Sequence, residues 1–208
     1  MYLFTRQARL AVEDALDCAT SITARAAKVS GNDVQLWATT LSPGFGTVTW
    51  TSWWADLGSM ESSLAKLFSD DKYIALAGKG AQFISEGIDD ALYQSVYDGV
   101  GEGGVAQYVG SVQADCASGS YERAMTNVVE IAQKAESITG LSTLFIAGLT
   151  GKYGGVGWLT GYESLAAFET AQSKLNADPS WLKFIDGATG CYAQDVGVTQ
   201  SSLYTKVA

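Results

Sequence analysis

QLWATTLSPGFGTVTW, Gln35 to Trp50, can be laid over TLFIAGLTGKYGGVGW, Thr143 to Trp158, without a gap. The offset of 108 residues then carries on unchanged to Ile84 and Tyr192. Leu36, Leu41, Gly46, Val48, Trp50, Leu57, Glu61, Lys66, Leu67 and Asp70 recur as Leu144, Leu149, Gly154, Val156, Trp158, Leu165, Glu169, Lys174, Leu175 and Asp178. These are ten identities in fifty positions, where ordinary residue frequencies give roughly three by chance. Other pairs keep their character: Trp37 with Phe145, Phe45 with Tyr153, Met60 with Phe168, Tyr73 with Trp181. A chain that contains one unit twice has its architecture set by that unit.

Working outward, Tyr2 to Arg9 interleaves aromatic and polar residues and is expected to be a strand. Val12, Ala15, Leu16, Ala19, Ile22, Ala26 and Val29 then fall at helical spacing, and Gly31-Asn32-Asp33 stops them. Val34 to Thr40 and Gly46 to Trp53 read as strands of a hairpin around Ser42-Pro43-Gly44. Leu57, Met60, Leu64 and Leu67 mark a second helix. A short helical stretch from Asp70 to about Lys79 leads to a last strand near Ala81 to Ile84.

The second copy repeats the series. Tyr108 to Cys116 is a strand, Tyr121 to Ile138 a helix stopped by Gly140, and Leu141–Leu149 with Gly154–Gly161 a hairpin. Leu165, Phe168 and Leu175 mark the next helix, and Cys191 to Val196 is the expected closing strand. Ser201 to Ala208 and its counterpart Ala91 to Asp98 are candidates for edge strands.

Each unit thus reads β-α-β-β-α-β, the split βαβ pattern of an α+β, ferredoxin-like fold. The expected division is 1–98, a Gly-rich linker at 99–104, and 105–208. Such a unit leaves one face of its sheet bare, and two copies in one chain cover those faces by packing sheet to sheet.

Composition narrows the function. Of 208 residues 47% are hydrophobic and only 17% charged, against the usual quarter, so the chain can bury a substantial core. The acidic net charge of −9 with scattered Lys and Arg argues against a nucleic-acid partner, because phosphates need a basic patch. No apolar run reaches the length of a membrane span. MYLFTRQARL lacks the layout of a signal peptide, so cytoplasmic residence is expected. Cys18, Cys116 and Cys191 show no metal-ligand spacing. With no histidine in the chain, imidazole metal ligands and Ser-His or Cys-His nucleophile pairs are excluded, and no metal site is expected.

TGYESLAAFETAQSKLNADPSWLKFI, Thr160 to Ile185, resembles the strand-to-helix segment of the dimeric α+β barrel superfamily. The resemblance to NIPSNAP-like and antibiotic-biosynthesis-monooxygenase-like members rests on Tyr162-Glu163-Ser164, then a helix, then Asp178, Pro179 and Trp181. The first copy departs from it, with Trp54-Ala55-Asp56 and Asp70-Asp71. The likeness implies two tandem ferredoxin-like units forming the barrel within one chain. Haem-using relatives, similar to chlorite dismutase, supply a histidine that this chain lacks, so no cofactor is expected.

Trp50 and Trp158 recur at one point of the repeat and read either as core or as pocket walls for a flat apolar ligand. Trp53 and Trp54 face Gly161 and Tyr162 in the alignment. The glycine either opens a pocket in the second unit or marks a strand bend. Setting QAR against QAD matches Arg6, Gln7 and Arg9 with Val112, Gln113 and Asp115; polar strand groups of this kind orient a ligand or lie at the rim. The ligand-binding set is therefore Trp50, Trp158, Tyr108, Gln113, Phe145 and Tyr162.

Cofactor-free oxygenases of the superfamily work on substrates that readily form carbanions, which makes Asp115 and Tyr162 the catalytic candidates. Glu61 and Glu169 with Lys66 and Lys174 are expected on solvent-facing helix surfaces, and Gly99 to Gly104 as a linker and not a phosphate loop. Cys116 and Cys191 are expected on neighbouring strands. Three functions remain open: a NIPSNAP-like binder of a small apolar or aromatic molecule, a cofactor-independent monooxygenase, or a structural subunit of a homo-oligomer.

Overall fold

Strand and helix follow one another in this chain as the residue periods dictate, and the computed structural model describes residues 1–11, 15–100, 106–193, 195 and 199–208. Val12, Gly101 to Gly104 and Val196 of the sequence reading lie outside the described residues. By internal contacts the chain divides into Met1–Tyr93 with Thr205–Ala208, here unit 1, and Gln94–Tyr204, unit 2.

Unit 1 contains β1 (Tyr2–Leu10), α1 (Ala15–Ser30), β2 (Val34–Thr40), β3 (Thr47–Trp54), α2 (Leu57–Phe68), α3 (Asp71–Ala81) and the first part of β4 (Ile84–Tyr97). Unit 2 contains β5 (Tyr108–Asp115), α4 (Tyr121–Thr139), β6 (Thr143–Gly148), β7 (Gly155–Tyr162), α5 (Leu165–Ala177), α6 (Pro179–Gly187) and most of β8 (Gln200–Lys206). Within unit 1, β3 pairs antiparallel with β1 and β2, and within unit 2, β7 pairs antiparallel with β5 and β6. No helix among the described residues is long and apolar enough to cross a membrane.

The identities of the repeat have local causes. Gly46 and Gly154 have φ of 85° and 79°, the left-handed region that favours glycine. Their carbonyls accept the equivalent hydrogen bonds from Leu10 N–H and Cys116 N–H, both 2.9 Å. Asp70 and Asp178 cap α3 and α6, accepting from the backbone N–H of Tyr73 and Trp181. Glu61, Lys66, Glu169 and Lys174 are exposed.

The strand registers correct the alignment by one residue in each second strand. Trp50 pairs with Leu36, but Trp158 pairs with Phe145. The counterpart of Leu36 is therefore Phe145, not Leu144. Trp37 pairs with Thr49 on the other face of β2, and its counterpart is Ile146, opposite Gly157. The hairpin of unit 1 is one residue longer, and the slip is absorbed in its turn. Phe145 and Leu36 are among the most completely buried side chains of the protein. The alignment of β1 with β5 holds: Arg6 and Val112 lie opposite Trp50 and Trp158.

Two strand expectations also change. The last strand of unit 1 is not a short one near Ala81 but the fourteen-residue β4, which takes in most of the stretch from Ala91 expected as a separate edge strand. In unit 2, Tyr192 forms an isolated bridge to Cys116, just past the end of β5, and the last strand is β8. Gly190, with φ of 78°, turns the chain before Cys191.

Candidate functional site

Trp50 and Trp158 point toward the helices of their own units, and each indole N–H pins the sheet to the first helix. Trp50 Nε1 donates to Thr23 Oγ1 at 2.9 Å, and Trp158 Nε1 donates to the Val128 carbonyl at 2.9 Å. Around Trp158 the space is full. Phe145 lies 5.9 Å away between ring centroids and Tyr192 stands edge-on at 5.7 Å. Trp181 and Phe184 of α6 pack against the same cluster. The Tyr192 hydroxyl donates to Asn127 Oδ1 at 2.9 Å, and burial pushes its pKa up.

The equivalent space in unit 1 is a cavity of about 140 Å³. Beside the tryptophan Leu36 stands where unit 2 has Phe145, and Ile84 lines the cavity where unit 2 has Tyr192. The second equivalence is fixed by matching hydrogen bonds, Ala11 N–H to Phe83 O and Ala117 N–H to Cys191 O. Ala77 lines the cavity where the repeat has Ile185 in unit 2.

The sheet side of the cavity is formed by Phe4, Arg6, Trp50 and Trp54; the helix side includes Cys18, Ile22, Met60, Leu64 and Tyr73. Phe68 and Ile88, 66% and 50% exposed, set its rim in solvent. Gly80 permits the close approach of α3 to α1, since a Cβ there would lie 2.8 Å from Ile22 Cδ1.

Arg6 is the one charged residue among the described lining residues. Its Nε and Nη2 donate to the two carboxylate oxygens of Asp90 on β4 at 2.7 and 2.6 Å. The guanidinium lies 5.8 Å from the centroid of the Phe4 ring, a cation–π distance. The Asp90 bonds, with a smaller contribution from the Tyr73 hydroxyl, hold Arg6 above its ordinary pKa. The other polar groups of the wall are satisfied within the protein. Ser52 Oγ accepts from Trp54 Nε1, Thr51 Oγ1 accepts from Trp37 Nε1, and Ser30 Oγ donates to the Ala27 carbonyl. Chemically this is an apolar, aromatic-walled chamber with one guanidinium on its wall.

Of the residues singled out from the sequence, Trp50 lines this cavity. Trp158 and Phe145 are together in the packed core of unit 2, with 8% and 0% exposure. Tyr162 is buried, edge-on to Phe168 at 5.2 Å, and burial raises its pKa against the opposing bonds to Thr160 and Gln172. Tyr108 pairs with Tyr162 across the β5–β7 ladder, and Gln113 is exposed. Asp115 pairs with Lys152 at 3.5 Å.

The structure does not bring Asp115 and Tyr162 together. Asp115 is opposite Gly155, and Tyr162 lies seven residues further along β7, roughly 23 Å at the usual rise per strand residue. The room expected above Gly161 is also taken, because a Cβ there would stand 3.0 Å from Ala106 Cβ. The cavity described is thus in unit 1, not in the unit that carries the glycine. Cys116 and Cys191 are neighbours with free thiols. Arg6 was legible as a polar strand group; Phe4, Trp54, Tyr73 and Ile84 were not. Their signal was the size difference between copies at Ile84 and Tyr192.

No family profile matches this sequence, and no curated protein is similar to it. Solved structures are. A "putative monooxygenase" from Fusobacterium nucleatum covers 100% of this chain and 92% of its own at 8% identity, with a TM-score of 0.71. A protein of the same description from Lactobacillus acidophilus covers 99% and 93% at 8% identity, with a TM-score of 0.66. An anthrone oxidase-like protein covers 100% and 91% at 10% identity, with a TM-score of 0.65. The chain has the dimeric α+β barrel fold in tandem-duplicated form. At these identities the likeness concerns the fold alone.

Proposed function

We propose that this protein is a NIPSNAP-like small-molecule-binding protein that holds an apolar, aromatic compound in the sheet–helix cavity of unit 1. The observation that carries this reading is a cavity of about 140 Å³ walled by Phe4, Trp50 and Trp54, with Arg6 as its charged group. An apolar chamber with few convergent polar groups is the usual form of a ligand site. A flat ligand gains from contact with aromatic faces and keeps one polar atom for the guanidinium. Trp50 and Trp54 supply the readout. Titration with 2-acetylnaphthalene should quench tryptophan fluorescence saturably with one site per chain, and the quench should disappear in an Ile84→Tyr variant. Non-saturable quenching that survives this variant would sink the reading.

The second reading is a cofactor-independent monooxygenase acting on an aromatic metabolite. It is favoured by the descriptions of the structurally similar proteins, two of them "putative monooxygenase" and one anthrone oxidase-like. Its test is oxygen uptake with anthrone as substrate. Uptake that is lost in Arg6→Met or Tyr73→Phe would place the chemistry at this cavity; uptake lost only in Asp115→Asn or Tyr162→Phe would place it elsewhere.

A further inference from the structure

The cavity wall contains a guanidinium whose charge is already paired. Arg6 meets Asp90 through two parallel bonds of 2.7 and 2.6 Å, the bidentate geometry in which a carboxylate is most completely matched. The pair is electrically neutral as a unit. Arg6 nevertheless has N–H donors beyond the two that Asp90 engages. It lies along the cavity with the Tyr73 hydroxyl nearby. The wall therefore presents a hydrogen-bond donor whose charge is already paired.

The remaining wall adds nothing to favour an anion. Trp50 and Trp54 have their indole N–H groups bonded to Thr23 and Ser52. A carboxylate entering the chamber would be desolvated beside an arginine already paired, with the Asp90 carboxylate held on that same guanidinium as a like charge. A ketone, quinone or phenol oxygen meets neither cost. Val112 occupies the position of Arg6 in unit 2, so this pairing belongs to unit 1.

Resting on the small-molecule reading above, we infer that Asp90 is a specificity determinant: by holding Arg6 it selects uncharged aromatic ligands bearing a hydrogen-bond acceptor and rejects aromatic carboxylates. Removing its charge frees the guanidinium and converts the chamber into an anion-accepting one. The ion pair is half exposed, with side chains 35% and 44% accessible. Its carboxylate can therefore be neutralised without burying an unpaired charge.

The test uses two ligands of one shape, 2-acetylnaphthalene and 2-naphthoate, titrated calorimetrically into the full chain. The wild-type protein should bind the ketone, with the carboxylate at least about tenfold weaker, as like-charge juxtaposition dictates. In Asp90→Asn the carboxylate should tighten by at least about tenfold while the ketone changes by less than about threefold. Asp90→Ser serves if the asparagine variant does not fold, and the wild-type ratio stands without either. Equal binding of the two ligands to the wild type, or an unchanged ratio in the variants, would overturn the selectivity while leaving the binding reading intact. Failure of both ligands to bind any form would remove both.

Discussion

Tyr192 stands edge-on to Trp158, with ring centroids 5.7 Å apart and planes at 74°. At the corresponding places in unit 1 are Ile84 and Trp50, and there the missing ring is a cavity. A smaller side chain at Ile84, which lines the cavity, accompanies the open space. Ile84→Tyr should therefore fill it. Extra atoms in a well-packed core cost about 1–3 kcal/mol, but here the space exists. The expected outcome is an unchanged or raised melting temperature with native circular dichroism, and affinity for 2-acetylnaphthalene reduced at least about tenfold, a loss of about 1.4 kcal/mol or more. Full binding by a folded variant would show that the ligand sits elsewhere.

The converse change in unit 2 should be expensive. Tyr192→Ala removes the ring from Trp158 and leaves a hole among Phe145, Trp181 and Phe184. Large aromatic-to-alanine changes in such settings cost about 3–5 kcal/mol. Tyr192→Phe keeps the ring and loses the hydroxyl bond to Asn127, worth about 1 kcal/mol. Urea denaturation of the two variants separates packing from hydrogen bonding. Equal losses would mean that the ring contributes little beyond its hydroxyl.

The contrast between the two halves shows what the residue order could and could not reveal. Trp50 and Trp158, Gly46 and Gly154, and Asp70 and Asp178 each do one local job twice, so identity exposed the repeat and with it the fold. Leu36 and Leu144 are also identical, yet they are not counterparts: a turn one residue longer shifts β2 against β6, and only pairing to Trp50 and Trp158 reveals it. The closing strand was misplaced because Cys191 and Tyr192 have strand-like character but stop at one bridge. The cavity was not legible because it is made of absent atoms. Phe4, Trp50 and Ile84 are far apart in the chain, and the space among them appears only once the fold has brought them together.

Glu136 is buried, and its carboxylate accepts from Tyr97 Oη at 2.5 Å, Val100 N–H at 3.0 Å and Thr143 N–H at 2.9 Å. The Glu136 hydrogen bond, with burial second, pushes the Tyr97 pKa up to about 12. A phenol whose pKa is raised on folding contributes stability that is complete below its unfolded value near 10 and disappears as pH rises through the folded one. Glu136→Gln retains an acceptor for the backbone groups and removes the charge facing the phenol. An alkaline titration of tyrosine absorbance should then show one group moving from about 12 toward 10. A titration curve superposable on the wild type would exclude the Glu136 charge as the cause.

Asp70 joins two elements of unit 1. It caps α3 by accepting from Tyr73 N–H at 2.7 Å and pairs with Arg25 of α1 through Arg25 Nε at 2.9 Å and Nη2. The Arg25 guanidinium first, and the capped backbone N–H second, hold this carboxyl below its ordinary value of 3.8. For a depressed carboxyl the stabilisation is complete above the unfolded pKa and is lost as pH falls through the lower folded one. Asp70→Asn keeps a capping oxygen and removes the titrating charge. Its deficit relative to the wild type should be constant near neutrality and shrink below about pH 4, in urea melts followed down the acid limb. Arg25→Gln should show the same convergence, because it removes the other half of the pair. A deficit that stays constant throughout that limb would mean that Asp70 acts only as a cap and that the bond to Arg25 contributes nothing to holding α1 against α3.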